Sequence, residues 1–108
     1  MDPVSYDDFA KLQLRVARVL SVAPHPDADK LYLLRIDGGG EERQLVAGLR
    51  PYYTPEELLD RYVVVIWNLA PAVIRGQESQ GMLLAAQDGA IVSFLTPERA
   101  VGAGSKVR

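Results

Sequence analysis

The chain has 108 residues, with 12 Lys and Arg against 14 Asp and Glu, a net charge of −2 and no cysteine. That length predicts a single domain, residues 1–108, able to bury roughly 65% of the surface its unfolded form exposes, and 48% apolar with 24% charged residues excludes disordered and fibrous classes. Disulfide scaffolds and Cys-based zinc sites are excluded, the acidic balance argues against a simple phosphate binder, and neither a signal peptide nor a block long enough for a bilayer of ~30 Å is found, so the cytoplasm is the expected compartment.

Ser5 to Asp8 has the pattern of a helix start, with Ser5 as cap and Phe9 and Leu12 following. From Lys11 the apolar residues Leu12, Leu14 and Val16 alternate with Lys11, Gln13 and Arg15, which predicts a strand with one wet face. The alternation slips after Ala17, and a bulge there lets Val19, Leu20 and Val22 continue the strand while bending it, as a small barrel requires. Pro24 and Pro26 end the strand, Asp27 or Asp29 closes the turn, and Leu31 to Ile36 form the next strand. Asp37-Gly38-Gly39-Gly40 is a hairpin turn, and Arg43 to Leu49 return with Leu45 and Val46 inside.

Thr54-Pro55-Glu56-Glu57 starts a short helix with Thr as cap and Pro at the first helical position, and Leu58 and Leu59 are expected to plug the core. Val63 to Trp67, Gly81 to Ala86 and Ile91 to Leu95 read as three further strands, and the glycines and Pro97 beyond Gly89 break the remainder into short pieces. Strands, a short helix and more strands predict an all-β fold: a five-stranded Greek-key barrel of the oligonucleotide/oligosaccharide-binding type, with the helix between strands three and four and a C-terminal extension. A β-sandwich and a six-stranded barrel satisfy the strand count too; the helix position favours the first.

Chemistry is sparse. His25, Asp27 and Asp29 resemble a metal or acid/base cluster, but prolines flank the lone His and a turn accounts for the residues better. Gly38 to Gly40 lack the Gly-Lys-Ser/Thr of a phosphate loop, and no serine sits in a nucleophile elbow. No metal, cofactor or catalytic residue is expected. Trp67 suits either a core position or a platform for a base, and of Tyr52 and Tyr53 one is expected to pack and the other to stay exposed. The segment Asn68 to Met82 gathers a cation, flexible glycines, hydrogen-bonding side chains and a methionine, which suits a ligand-facing loop as well as a connector. Against RNA, Arg75 would meet a phosphate or stack on a base, Asn68 and Ser79 would bond base edges or the ribose, and Met82 would give apolar contact.

Six stretches together carry a resemblance: DFAKLQLRVARV from Asp8, HPDADKL from His25, EERQLVAGL from Glu41, YYTPEEL from Tyr52, NLAP from Asn68 and RGQESQGMLLAAQDG from Arg75. The chain resembles the free-standing tRNA-binding protein family, also found as the C-terminal domain of bacterial methionyl-tRNA synthetases. The resemblance implies an oligonucleotide-binding fold, a homodimer, structure-specific tRNA binding, an aminoacyl-tRNA synthetase as a partner, and neither catalysis nor cofactor. By position, the family's RNA-facing elements fall on Lys30, Asn68, Arg75, Ser79 and Met82, with Lys11 and Arg15 beside them, and its dimer interface on Tyr6, Phe9, Ile91 and Phe94.

One departure stands out. Where the family reads Asn-Leu-Lys-Pro followed by basic residues, this chain has Ala70, Ala72 and Val73. Each lost phosphate contact lowers the salt slope of binding by ~0.9 for duplex or ~0.7 for single strands, so weaker binding is expected. Two further readings compete: a chaperone-like or protein-docking module of the same fold, and a dimerisation appendage with little RNA affinity. The Met ahead of the domain suggests a free-standing chain.

Overall fold

The computed structural model describes residues 1–108. Ser5 caps the helix α1, Tyr6–Ala10, by accepting from the Asp8 amide at 3.1 Å. None of its residues is buried, because five residues pack against nothing that covers them. The long strand β1, Leu14–Pro24, then organises the sheet: its first half pairs with β4, Tyr62–Ile66, and its second half with β2, Tyr32–Asp37. The register shifts between Val19 and Ser21, so the expected bulge falls on Leu20 and turns the strand from one partner to the other.

β2 hairpins into β3, Glu42–Ala47. Asp37 Oδ1 accepts from the amides of Gly39 and Gly40 at 3.0 and 2.7 Å, and both glycines have positive φ, 98° and 91°. Gly38 is required for another reason: a Cβ there would lie 2.2 Å from the Trp67 ring. Next, Thr54 and Glu57 form a full capping box around α2, Pro55–Leu58. Leu58 plugs the core but Leu59 is 45% exposed, since the helix ends there and the chain turns extended, aiming adjacent side chains apart.

The strand order is β3-β2-β1-β4-β7, where β7 is Met82–Leu83, and β10, Lys106–Val107, adds to β1 beside β2. The sheet is nearly closed into a barrel, and the seam runs between β3 and residues 78–80. There Gln80 N donates to Gln44 O at 2.8 Å, Gln44 N to Gln80 Oε1 at 3.1 Å, and Val46 N to Ser79 Oγ at 3.0 Å. This is the oligonucleotide-binding barrel that the strand pattern predicts, with more and shorter strands than five. The expected Gly81 to Ala86 strand breaks at Leu84: β7 pairs with β4, while β8, Ala85–Asp88, leaves to hairpin with β9, Ile91–Phe94. A further hairpin, β5 (Ala72–Ile74) with β6 (Gln77–Ser79), occupies the segment expected to be a loop.

One apolar cluster fills the barrel, including Ala17, Val19, Leu34, Ile36, Leu45, Val63, Val65, Trp67 and Phe94. On β1 the inward residues are therefore Ala17 and Val19, the parity of Arg15, and the expected assignment of Leu12 and Leu14 to the core is reversed. Leu12 is 42% exposed, and Val16 is buried outside the main cluster. On β3 the same parity puts Leu45 and Ala47 inside, so Val46, expected in the core, is only half-buried.

Candidate nucleic-acid interface

The sequence HPDADKL makes a tight connection between β1 and β2. His25 is 3% exposed; its Nδ1 accepts from Asp27 N at 2.9 Å, which leaves Nε2 to carry the proton and donate to Ile74 O at 3.1 Å. Both ring nitrogens are thus engaged, and the turn reading of His25, Asp27 and Asp29 accounts for all of its contacts. No group of three His, Cys, Asp or Glu is placed to hold a metal ion.

The bond to Ile74 also ties this connection to the β5–β6 hairpin, whose turn is Arg75-Gly76. Arg75 has φ 51° and Gly76 φ 83°, the pair of positive angles that a tight two-residue hairpin turn demands. Lys30 and Arg75 consequently share one shallow recess of about 370 Å³ with Ala28, Asp29 and Leu31. Both side chains are exposed, and neither has a carboxylate within 4.0 Å. The structure therefore brings together two cations that lie 45 positions apart in the chain.

The other predicted residues are placed differently. Asn68 Oδ1 accepts from Gln13 N and its Nδ2 donates to Lys11 O, both at 2.7 Å, stapling the segment after α1 to the end of β4. Ser79 is 4% exposed, and its hydroxyl accepts from Val46 N across the barrel seam at 3.0 Å and donates locally to Gly81 O at 2.9 Å. Expected to face RNA, both have their polar groups engaged with backbone. Lys11 pairs with Asp8 at 3.0 Å. Met82 lies away from the cations, in an apolar groove of about 300 Å³ with Val46, Leu49, Tyr52 and Val92.

Arg15 shares the inward parity of Ala17 and lies half-buried at the end of the barrel, where one side of it borders an open hollow, rather than on the expected outer face. Its guanidinium carbon lies 4.7 Å from the Trp67 ring centroid, and Nη1 donates to Gly38 O at 3.3 Å. Trp67 is 2% exposed, so the platform reading gives way to core packing: the indole plugs the barrel end. No protein group accepts from its Nε1, and the large apolar area of a buried indole favours the position. Arg43, missed from the sequence, has the inward parity of Leu45 and lies 4.1 Å from the same ring. It donates to Trp67 O and, at 3.1 Å, to Glu41 Oε2. Inward position on β3 plus a glutamate two residues earlier was the available signal. Among the four ion pairs, Arg43 and Glu41 form the least exposed.

Of the residues expected at a dimer interface, Tyr6, Phe9 and Ile91 are 78%, 42% and 67% exposed. Phe94 is not available: it is 7% exposed, its ring lies 5.1 Å from that of Tyr53, and Arg61 lies over it at 4.9 Å. Strand alternation on β9 turns Phe94 toward the core and leaves Ile91 outside. Tyr53 packs and Tyr52 stays 42% exposed, as expected of the pair. The segment from Leu69 to Val73, where the resemblance leads one to expect basic residues, instead exposes Leu69 and Val73.

The family described as "Putative tRNA binding domain" matches residues 14–106. The chain belongs to this tRNA-binding family. A methionine–tRNA ligase of Pyrococcus furiosus is 56% identical over 108 residues, all of this chain and 15% of the ligase, and that of Pyrococcus abyssi is 59% identical over 105 residues, 97% of this chain and 14% of the ligase. The chain thus spans about 15% of the length of these curated relatives. Among solved structures, a MetRS-related protein from Pyrococcus horikoshii superposes with a TM-score of 0.93 at 33% identity, covering 100% of both chains. The CsaA chaperone protein of Picrophilus torridus gives 0.91 at 28% identity, covering 98% of this chain and 100% of that one. No helix is long and apolar enough to cross a membrane.

Proposed function

We propose that this chain is a non-catalytic, cytoplasmic module of one domain that binds folded tRNA as a homodimer and so strengthens the hold of a methionyl-tRNA synthetase on its substrate. The observation that carries this reading is the family match over 14–106, supported by the joint placement of Lys30 and Arg75, unpaired on two turns locked to each other through His25. Such cations contact phosphates and are felt through salt dependence. The exposed apolar side chains of Tyr6, Phe9 and Ile91 support self-association, and two copies would double the cations presented to one RNA.

The test is a titration of the protein with total tRNA and with generic single-stranded RNA at about 50 and about 200 mM salt, the window in which phosphate contacts register. Tighter, salt-weakened binding of tRNA is expected; equal binding of both RNAs, or none at the lower salt, would refute the reading. Sedimentation should give twice the 11.9 kDa chain mass.

A second reading, a protein-docking or chaperone-like module, is favoured by the exposed Leu69 and Val73 and by the likeness to CsaA. It predicts partner binding that is nearly insensitive to salt.

A further inference from the structure

Antiparallel pairing sets Arg15 of β1 directly across from Lys106 of β10. Facing side chains in such a pair project from the same side of the sheet with Cβ atoms about 4.5–5.5 Å apart, and like charges there are destabilising. Neither residue has a carboxylate within 4.0 Å; the four ion pairs use Lys11, Arg18, Arg35 and Arg43. The chain therefore sets two like charges opposite each other, with no carboxylate beside either, at the point where its last strand joins the barrel, in a protein whose net charge is negative and whose acids outnumber its bases. Local conflicts of this kind mark functional positions.

Arg15 is also held in place. Its guanidinium is fixed between the Trp67 ring and the Gly38 carbonyl, with Arg43 over the same ring. A planar cation preorganised by stacking loses little rotamer freedom when it meets an anion. Beside it lies an open hollow of about 450 Å³, lined by Leu12, Gln13, Arg15, Gly104 and Lys106. The hollow thus has one rigid, half-buried cation, one exposed and adaptable cation, and no acidic residue in its walls.

We infer that Arg15 and Lys106 form a phosphate-binding site for the RNA backbone, completed only when β10 pairs with β1. The inference rests on the tRNA-binding reading and adds to it a second contact region, separate from Lys30 and Arg75. A bridging phosphate would convert the repulsion between the two cations into two charge-assisted contacts. Trp67 is the chain's one tryptophan and touches Arg15, so its emission reports on this site.

The experiment compares unmodified protein, Lys106→Gln, the charge-retaining Lys106→Arg, and Arg75→Asn at the other region. Each is titrated with tRNA at about 50 and about 200 mM salt while Trp67 emission and Tm are followed. Loss of one phosphate contact lowers the salt slope by ~0.7–0.9, so the ratio of affinities at the two salts should fall roughly threefold for Lys106→Gln and stay unchanged for Lys106→Arg. Relief of the like-charge pair should at the same time raise the Tm of Lys106→Gln at low salt by roughly 1–5 °C, and its RNA-induced emission change should shrink. Arg75→Asn should lose the same slope with neither a Tm rise nor a weaker emission response. If Lys106→Gln keeps the native salt ratio while the unmodified protein binds tRNA, the site is refuted and the tRNA reading stands. Parallel losses of Tm and of binding would make Lys106 a holder of β10 only, and failure of the unmodified protein to bind tRNA would refute both.

Discussion

The two cationic regions of this barrel hold their charges by opposite means. At one, Lys30 and Arg75 project from turns, exposed, and the rigidity lies beneath them in the buried His25 that bonds Asp27 and Ile74. At the other, rigidity reaches the charge itself, because Arg15 and Arg43 lie over the buried Trp67. The contrast teaches that a chain with more acids than bases can still hold cations in set positions, either by fixing the loop and leaving the head free or by fixing the head.

The largest expected effect breaks the second arrangement. Trp67→Ala removes the plug of the barrel end together with the surface on which both guanidinium groups lie, and should destabilise the protein by about 3–5 kcal/mol in denaturant unfolding. A smaller loss would mean that Arg15 and Arg43 collapse into the vacated space and that the ring is not what holds them. His25→Ala breaks the first arrangement: with Asp27 N and Ile74 O unpaired, about 1–3 kcal/mol is expected. The same variant should weaken tRNA binding through Lys30 and Arg75 while leaving Trp67 emission untouched; a matching change in emission would show the two regions to be coupled. The smallest effect sharpens the comparison. Arg75→Asn suits the left-handed turn position, so stability should shift by no more than about 0.5 kcal/mol, and only the salt slope of tRNA binding should fall, by ~0.7–0.9.

Much of the fold was legible where a residue's local chemistry and the tertiary outcome agree. Thr54-Pro55 specifies its helix through its own hydroxyl and ring, and the slipped alternation after Ala17 announces the bulge at Leu20. The face of β1 was not legible, since period two marks two faces without saying which one meets the core, and Arg15 came out inward. The β5–β6 hairpin was hidden because its turn uses Arg75 rather than Asn or Asp at a positive φ. Asn68 and Ser79 look in sequence like ligand-facing polar residues, yet Asn68 bonds backbone groups 55 and 57 positions away, and Ser79 accepts from one 33 positions away besides its local bond to Gly81 O. Whether a polar group is satisfied at such range is a property of the fold. Arg75 stood out in the sequence by its own loop and Lys30 only through the resemblance; that the fold sets them in one recess was not legible, for nothing in their own neighbourhoods links them.

The pairing of Leu14 with Val107 and of Arg15 with Lys106 joins residues more than ninety positions apart. Contacts of such sequence separation are slow to form, because the entropy of closing the loop comes before any reward from the contact. The barrel therefore cannot finish folding as it emerges from the ribosome until nearly all of its residues are out. Refolding should accordingly show the docking of the last strand as a late event, after the burial of Trp67.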